Sequence, residues 1–125
     1  MSRIRGRDTK PEIKVRRILH RMGYRFRLHV RKLPGNPDIV LPRYKKIVFV
    51  HGCFWHGHPG CSKSRRPATN VEFWNEKISG NIYRDRENLS KLSDLGWETL
   101  VVWECETKDT DKLVEKLKKF LSAEN

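Results

Sequence analysis

The spacing of hydrophobic residues near the start of the chain predicts an amphipathic helix. Its apolar residues recur mostly at helical intervals and are Ile13, Val15, Ile18, Leu19 and Met22. Thr9 suits the N-cap, Pro11 the first turn and Gly23 the position just past the last turn. We therefore expect a helix between Thr9 and Met22. Glu12 would lie in its first turn, where the positive end of the helix dipole stabilises a negative charge.

The next stretch changes to the two-residue period of strands. Apolar and mostly basic residues alternate over residues 24–30, which predicts a half-buried strand with a basic outer face. A turn-rich loop follows at residues 33–37. Two apolar runs, Asp38–Leu41 and Lys46–Val50, are joined by a turn that begins with proline, and they predict a hairpin.

The second half of the chain predicts a helix, a strand and a helix. Thr69 or Asn70 is a suitable N-cap for a long helix. The apolar residues of that helix are helix-spaced and are Phe73, Ile78, Ile82, Leu89, Leu92 and Leu95. The continuous apolar run Thr99–Trp103 is typical of a strand buried in a sheet, and Asp109–Ser122 predicts a final amphipathic helix. The order α-β-β-β-α-β-α, without repeat or linker, predicts a single α/β domain over residues 1–125 with a central mixed sheet flanked by helices.

The balance of charge points to a polyanionic partner. Lys and Arg number 27 against 15 Asp and Glu, which gives a net charge of +12 and a pI near 10.0. A small domain this basic usually binds nucleic acid, and a basic ribosomal or structural protein is the plainer alternative. Residues 1–8 are predicted to form a flexible basic arm that contacts nucleic-acid phosphates through Arg3, Arg5 and Arg7.

The sequence predicts neither a targeting signal nor a membrane segment. No apolar run approaches the ~20 residues that span a bilayer, and the basic N-terminus has no apolar segment behind it. We therefore expect a cytoplasmic, nucleoid-associated protein of bacterial type with no membrane partner. Three cysteines in a reducing compartment stay thiols, so metal binding is their favoured use.

A group of metal-ligand residues follows the predicted hairpin. Cys53, His58 and Cys61 lie within nine residues, and Cys105 directly follows the last apolar run. Structural zinc sites take four nitrogen and sulfur ligands, and three cysteines with one histidine are a common set. A zinc ion that stabilises this loop is therefore predicted, against the alternative of unrelated thiols and a surface histidine.

A second group of residues has the chemistry of phosphodiester hydrolysis. Asp38 starts one predicted strand, and its carboxylate with a main-chain oxygen of the next strand would form a typical Mg²⁺ site. His51 and His56 follow that next strand and are candidates for the general base. Glu12 is a candidate second carboxylate if the first helix packs nearby.

Five blocks of sequence resemble the very short patch repair (Vsr) DNA endonucleases, in the same order. They are Arg7–Glu12, Pro37–Asp38, Val48–His56, Phe73–Ile78 and Trp103–Cys105. The string Gly-Cys-Phe-Trp-His within the third block is the most specific of them. The resemblance implies a restriction-endonuclease-like fold. It also implies Mg²⁺-dependent nicking of one strand of double-stranded DNA, 5′ of the thymine in T:G mismatches that arise from deamination of 5-methylcytosine.

The resemblance also implies roles for individual residues. Asp38 is expected to bind Mg²⁺ together with the main-chain oxygen of Val50, a valine where the family pattern has threonine. His56 is expected to be the catalytic histidine, with His51 and Glu12 as supporting residues. The implied ligands of a structural zinc ion are Cys53, His58, Cys61 and Cys105. The implied rings that wedge into the base stack beside the mismatch are Phe54, Trp55 and Trp74.

Several alternatives stay open at the level of sequence. His56 could replace His58 as the zinc ligand, because the spacing from His58 to Cys61 differs from the family's shorter form. Two other functions are possible at this level. A related restriction-type nuclease would cut fully paired duplex, whereas a catalytically inactive DNA-binding module with a structural zinc ion would bind DNA without cutting it. A monomer is the expected state, and mismatch-repair proteins are candidate further partners.

Overall fold

The computed structural model describes residues 9–122, which form three α-helices and one four-stranded sheet. The helices are α1 (Lys10–Arg21), α2 (Val71–Asp94) and α3 (Thr110–Ser122), and the strands are β1 (Arg27–Leu28), β2 (Ile39–Leu41), β3 (Lys46–His51) and β4 (Glu98–Trp103). The predicted element order and the α/β class with a mixed sheet are confirmed. The predicted arm with Arg3, Arg5 and Arg7 lies outside the described residues. Within residues 9–122, none of the helices is long and apolar enough to cross a membrane.

The sheet has the spatial order β1-β2-β3-β4 and contains both strand orientations. β2 pairs with β1 and with β3 in the antiparallel sense, whereas β3 pairs with β4 in the parallel sense. The predicted hairpin is therefore present as β2 and β3. A short 3₁₀ turn (Pro42–Tyr44) joins these strands, and Lys45 closes it with a left-handed φ of 57°.

The first predicted strand is wrong in its length. Only Arg27 and Leu28 of residues 24–30 pair as a strand, and both side chains are exposed. The pleat ends at His29, whose φ of 50° lies in the left-handed region that residues other than glycine seldom adopt. The alternation of the sequence continues past that point, but the backbone leaves the sheet.

Helices cover both faces of the sheet. One face packs against α1 and α3, and the cluster there includes Leu19, Val48, Val102 and Leu117. The other face packs against α2 through a cluster formed by Val40, Ile47, Phe49 and Leu92. The two faces follow the period-two alternation of β2 and β3, which bury side chains on both sides of the sheet.

Three expectations for the second half of the chain need correction. Ile78 and Leu92 of the α2 stripe are fully buried, but Phe73 is 58% and Leu95 is 54% exposed, and these two residues lie at opposite ends of the helix. Asn70 is the N-cap of α2, but it adopts a left-handed conformation and makes no side-chain capping hydrogen bond. β4 is an edge strand of the described sheet, with Val102 as its one buried residue.

Candidate functional site

The parallel pairing of β3 and β4 brings two cysteines to the same edge of the sheet. His51 is paired with Trp103 in the register, and Cys53 and Cys105 each follow two residues later. The loop after β3 then returns His58 and Cys61 to the same place. One ligand atom from each of the four residues lies within 4.8 Å of the others, and His58 Nδ1 is 3.5 Å from Cys105 Sγ. We call this group the thiol cluster.

The surroundings of the thiol cluster hold it in place. The His58 ring stacks on Trp103, with centroids 4.2 Å apart and planes 12° from parallel. The Ser64 hydroxyl donates to the main-chain oxygens of His58 and Cys61 at 2.8 and 2.7 Å. Burial raises the pKa of the Cys53 thiol to about 12. A divalent cation beside that sulfur would be needed to turn it into a thiolate at neutral pH.

Asp38 directly precedes β2, and its side chain is fixed beside the end of β3. Its Oδ2 accepts a hydrogen bond of 2.8 Å from the N–H of Val50, and its main-chain oxygen accepts one of 3.1 Å from the N–H of His29. Burial raises the pKa of Asp38 to about 7, although the Val50 N–H bond acts in the opposite direction and the nearby Glu12 adds to the rise. The main-chain oxygen of Val50 as a metal ligand stays a prediction.

Glu12 reaches this carboxylate from α1. Thr9 caps the helix as predicted, with its Oγ1 accepting from the Glu12 N–H at 3.3 Å, and the Glu12 side chain is buried. Ligand atoms of Glu12, His29 and Asp38 lie within 4.8 Å of one another. Two carboxylates and an imidazole at such separations form a set of ligands that fits a divalent cation.

Two stacked imidazoles lie beside Asp38. The rings of His51 and His56 are 3.8 Å apart and 7° from parallel, and His56 Nδ1 is 2.7 Å from Oδ2 of Asp85 on α2. Burial is the main cause that lowers the pKa of His51 to about 4, and the neighbouring His56 acts in the same direction whereas Asp85 opposes it. His51 is therefore neutral at physiological pH. All three side chains and Asp38 line one cavity of about 200 Å³.

The structure places the two histidines, whose roles the sequence left open, in different groups of residues. His58 lies with the three cysteines, whereas His56 lies with His51 and Asp85. His56 and His58 lie on the same loop and are separated by Gly57, where φ is 60°. A side chain at Gly57 would lie 2.7 Å from Ile82, so the turn also requires a residue without one.

Sequence reasoning missed Asp85 and His29. Asp85 has a detectable signal, because it occupies a core-facing position between Ile82 and Leu89 in the helical stripe of α2. A lone acid inside an apolar stripe indicates a buried partner. His29 has no such signal, because the alternation predicted it on the outer face of a strand that the backbone does not continue.

Four aromatic rings form a cluster at the mouth of the site. Phe54 lies 5.1 Å from Trp55 and 5.4 Å from Trp74, and the two tryptophans are 5.9 Å apart. Phe73 contacts Trp74 at 5.0 Å. Trp55 is 48% exposed, as its position on a loop predicted. We call these four residues the aromatic cluster. A cleft of about 390 Å³ extends from Trp55 to His51 and His56.

Comparison with known proteins identifies the family. A family model described as "DNA mismatch endonuclease Vsr" matches residues 1–63. The DNA mismatch endonuclease Vsr of Escherichia coli is 44% identical over 116 residues, which cover 93% of this chain and 74% of that protein. The chain belongs to the Vsr family of DNA mismatch endonucleases. The resemblance seen in the five sequence blocks is thereby confirmed, and the family is one of DNA-cleaving hydrolases.

Other relatives of this Vsr-family chain have names that describe nicking. The type II nicking enzyme V.XorIIP of Xanthomonas oryzae is 46% identical over 121 residues, which cover 97% of this chain and 88% of the relative. The type II nicking enzyme V.NmeAIP of Neisseria meningitidis is 44% identical over 121 residues, which cover 97% and 86% respectively. The similarity thus extends over both the cavity and the thiol cluster, beyond the residues that the family model matches.

Proposed function

We propose that this Vsr-family enzyme nicks one strand of double-stranded DNA, 5′ of the thymine of a T:G mismatch left by deamination of 5-methylcytosine. One observation carries the proposal. Asp38 and the His51–His56–Asp85 group line a single cavity, and a cleft connects the histidines to the exposed Trp55 of the aromatic cluster. Groups suited to hydrolysing a phosphodiester therefore lie next to rings suited to disturbing a base stack, on a restriction-endonuclease-like scaffold.

The names of the relatives support a single-strand cut. The E. coli relative is named a mismatch endonuclease, and the relatives from X. oryzae and N. meningitidis are named nicking enzymes. The net charge of +12 gives the chain the attraction to DNA phosphates that such an activity needs. The T:G target, the Mg²⁺ ion and the zinc ion come from the resemblance together with the geometry.

Asp38 is the residue that we assign to the catalytic ion, with the main-chain oxygen of Val50. A bound Mg²⁺ would supply charge stabilisation of the scissile phosphate and a more acidic water. Asp38 is suited to hold it because the Val50 N–H fixes one carboxylate oxygen at 2.8 Å. The carboxylate is also buried next to Glu12, and two buried acids are stabilised by a cation between them.

His56 is the residue that we assign to the proton transfer. Because a carboxylate only accepts hydrogen bonds, the contact with Asp85 places the imidazole proton on Nδ1. Nε2 then keeps its lone pair and can take a proton from the attacking water. His51 stacks on this ring and stays neutral, so it supports the orientation of His56 without adding charge.

Asp85 should affect catalysis through His56. Asp85→Asn is expected to lower the single-turnover nicking rate about 10- to 100-fold, because the amide no longer fixes the His56 tautomer. His56→Ala is expected to lower the same rate about 10²- to 10⁴-fold. The double variant should be little slower than His56→Ala, since the two residues act as a unit. Glu87→Gln, an exposed neighbour on α2, is the control. Additive losses would show that Asp85 does not act through His56.

Trp55 should affect mismatch preference more than the chemical step. An inserted ring unstacks a base step at a cost of a few kcal/mol, and the cost is lowest at a mismatch. Trp55→Ala is therefore expected to reduce the ratio of T:G to T:A nicking rates about 10-fold. Tyr83→Ala is the matched control, because Tyr83 is a 64% exposed ring of α2 outside the aromatic cluster. An unchanged ratio in Trp55→Ala would remove the ring from mismatch recognition.

Substrate preference tests the proposed function as a whole. Single-turnover nicking is measured on two duplexes that differ only in one T:G or T:A pair, with Mg²⁺ added. The proposal predicts rapid nicking of the T:G duplex and slow or absent nicking of the T:A duplex. Equal rates on both would indicate a nuclease for paired DNA, and no cleavage of either would indicate a DNA-binding module.

A further inference from the structure

His29 stands at an unusual place in the chain. Its φ of 50° is left-handed, and its N–H donates to the main-chain oxygen of Asp38 at 3.1 Å. A residue other than glycine in that conformation costs roughly 1 kcal/mol or more, and such positions concentrate at functional sites. This backbone turn ends β1 and directs the imidazole toward the buried carboxylate of Glu12, with Nε2 3.0 Å from Oε2.

The charges around His29 suit a divalent cation. Glu12 and Asp38 contribute two formal negative charges, and the Arg16 guanidinium, which bonds Glu12 Oε2 and lies 3.3 Å from His29 Nε2, contributes one positive charge. Within residues 9–122, two carboxylates therefore converge on the place that the imidazole faces, and two carboxylates attract a divalent cation.

We propose that His29 is a direct ligand of the cation held by Asp38 and Glu12, so that the site prefers first-row transition ions such as Mn²⁺ to Mg²⁺. The assignment rests on the proposed function, which places the catalytic ion at Asp38. Neighbouring ligands of an octahedral ion with bonds of about 2.1 Å are about 3.0 Å apart. The distance of 3.0 Å between His29 Nε2 and Glu12 Oε2, which join directly in the absence of an ion, would let both atoms bind one cation.

The chemistry of the ligands explains the preference. Mg²⁺ is a hard ion that takes oxygen ligands and gives up its water reluctantly. An imidazole nitrogen binds first-row transition ions more strongly, with Mn²⁺ the weakest of the series. Mn²⁺ is nevertheless the best probe, because thiolates favour zinc over Mn²⁺ and the thiol cluster would keep its own ion. Mn²⁺ is also paramagnetic and reports the nitrogen atoms bound to it.

The test is Mn²⁺ binding to the zinc-loaded protein, followed by electron paramagnetic resonance. The signal of unbound Mn²⁺ in a titration gives the Kd for Mn²⁺, and displacement of bound Mn²⁺ by Mg²⁺ gives the affinity for Mg²⁺. Electron spin-echo modulation detects nitrogen atoms that are bound directly to Mn²⁺. The key variant is His29→Asn, because asparagine tolerates the left-handed backbone but lacks the imidazole. His20→Asn, an exposed histidine of α1, is the matched control. Asp38→Ala tests the ion site itself.

We expect wild type and His20→Asn to bind Mn²⁺ with nitrogen modulation. His29→Asn should lose the nitrogen modulation, and its affinity for Mn²⁺ should fall about 10-fold. Its affinity for Mg²⁺ should change less than about 2-fold. Wild type without nitrogen modulation or without Mn²⁺ binding would overturn the proposal, as would modulation that persists in His29→Asn. If the wild type binds Mn²⁺ without nitrogen modulation, or the modulation persists in His29→Asn, and Asp38→Ala abolishes that binding, the proposed function keeps its metal site. If Asp38→Ala binds ions like wild type, both assignments fail.

Discussion

Asp38→Asn is expected to lower the nicking rate at least about 10³-fold, while binding to a T:G duplex stays near that of wild type. The substitution keeps the shape of the side chain and an oxygen that can accept from the Val50 N–H. It removes the negative charge that holds the catalytic ion, and a loss of about 4 kcal/mol of transition-state stabilisation corresponds to that factor. Binding should be unaffected because we assign mismatch recognition to the aromatic cluster.

Single-turnover nicking and a binding titration on the same T:G duplex check this expectation. Asp94→Asn is the matched control, since Asp94 is an exposed acid at the end of α2. High Mg²⁺ concentrations should not rescue Asp38→Asn fully, because a neutral amide is a poor ligand for a hard dication. A variant that nicks at the wild-type rate would show that another residue holds the ion.

Cys105→Ala is expected to lose the zinc ion and most of the stability of the fold. Cys105 joins the segment after β4 to the loop after β3, and the other three ligands all lie in that loop. Structural zinc sites release about 10–16 kcal/mol on binding at neutral pH, which is comparable to the whole stability of a small domain. The loss should therefore extend beyond the loop to the edge strand β4.

Metal analysis and thermal unfolding check the role of the thiol cluster. Wild type should contain one zinc ion per chain, and a strong chelator should lower its thermal stability to that of Cys105→Ala. Ser62→Ala, an exposed neighbour of Cys61 that is not a ligand, should keep both the ion and the stability. A metal-free wild-type protein that unfolds at the same temperature would contradict a stabilising zinc site.

The sequence predicts the parts of this molecule that are set by local pattern. The helical stripe and capping residues of α1 and the apolar runs of β2 and β3 predict those elements closely. The thiol cluster is predictable as well, because its residue types and number match one metal. Neither result needs knowledge of which elements meet in space.

The remaining parts of the site depend on long-range contacts. Asp85 is separated from His56 by 29 residues, and only the packing of α2 on the sheet brings them together. His29 depends on a left-handed backbone that ends β1, which no pattern of apolar and polar residues encodes. The helical spacing predicts a core position for Phe73, but this residue lies in the first turn of α2 and is 58% exposed.

The most direct measurement for the central claim is the position and strand of the cut. A duplex with one T:G pair carries a different fluorescent label on each strand, and the products of a single turnover with Mg²⁺ are resolved at one-nucleotide resolution. The proposed function predicts one nick, on the strand with the mismatched thymine and immediately 5′ of it, with the guanine strand intact. Cuts in both strands, or equal cutting of the same duplex with a T:A pair, would contradict it.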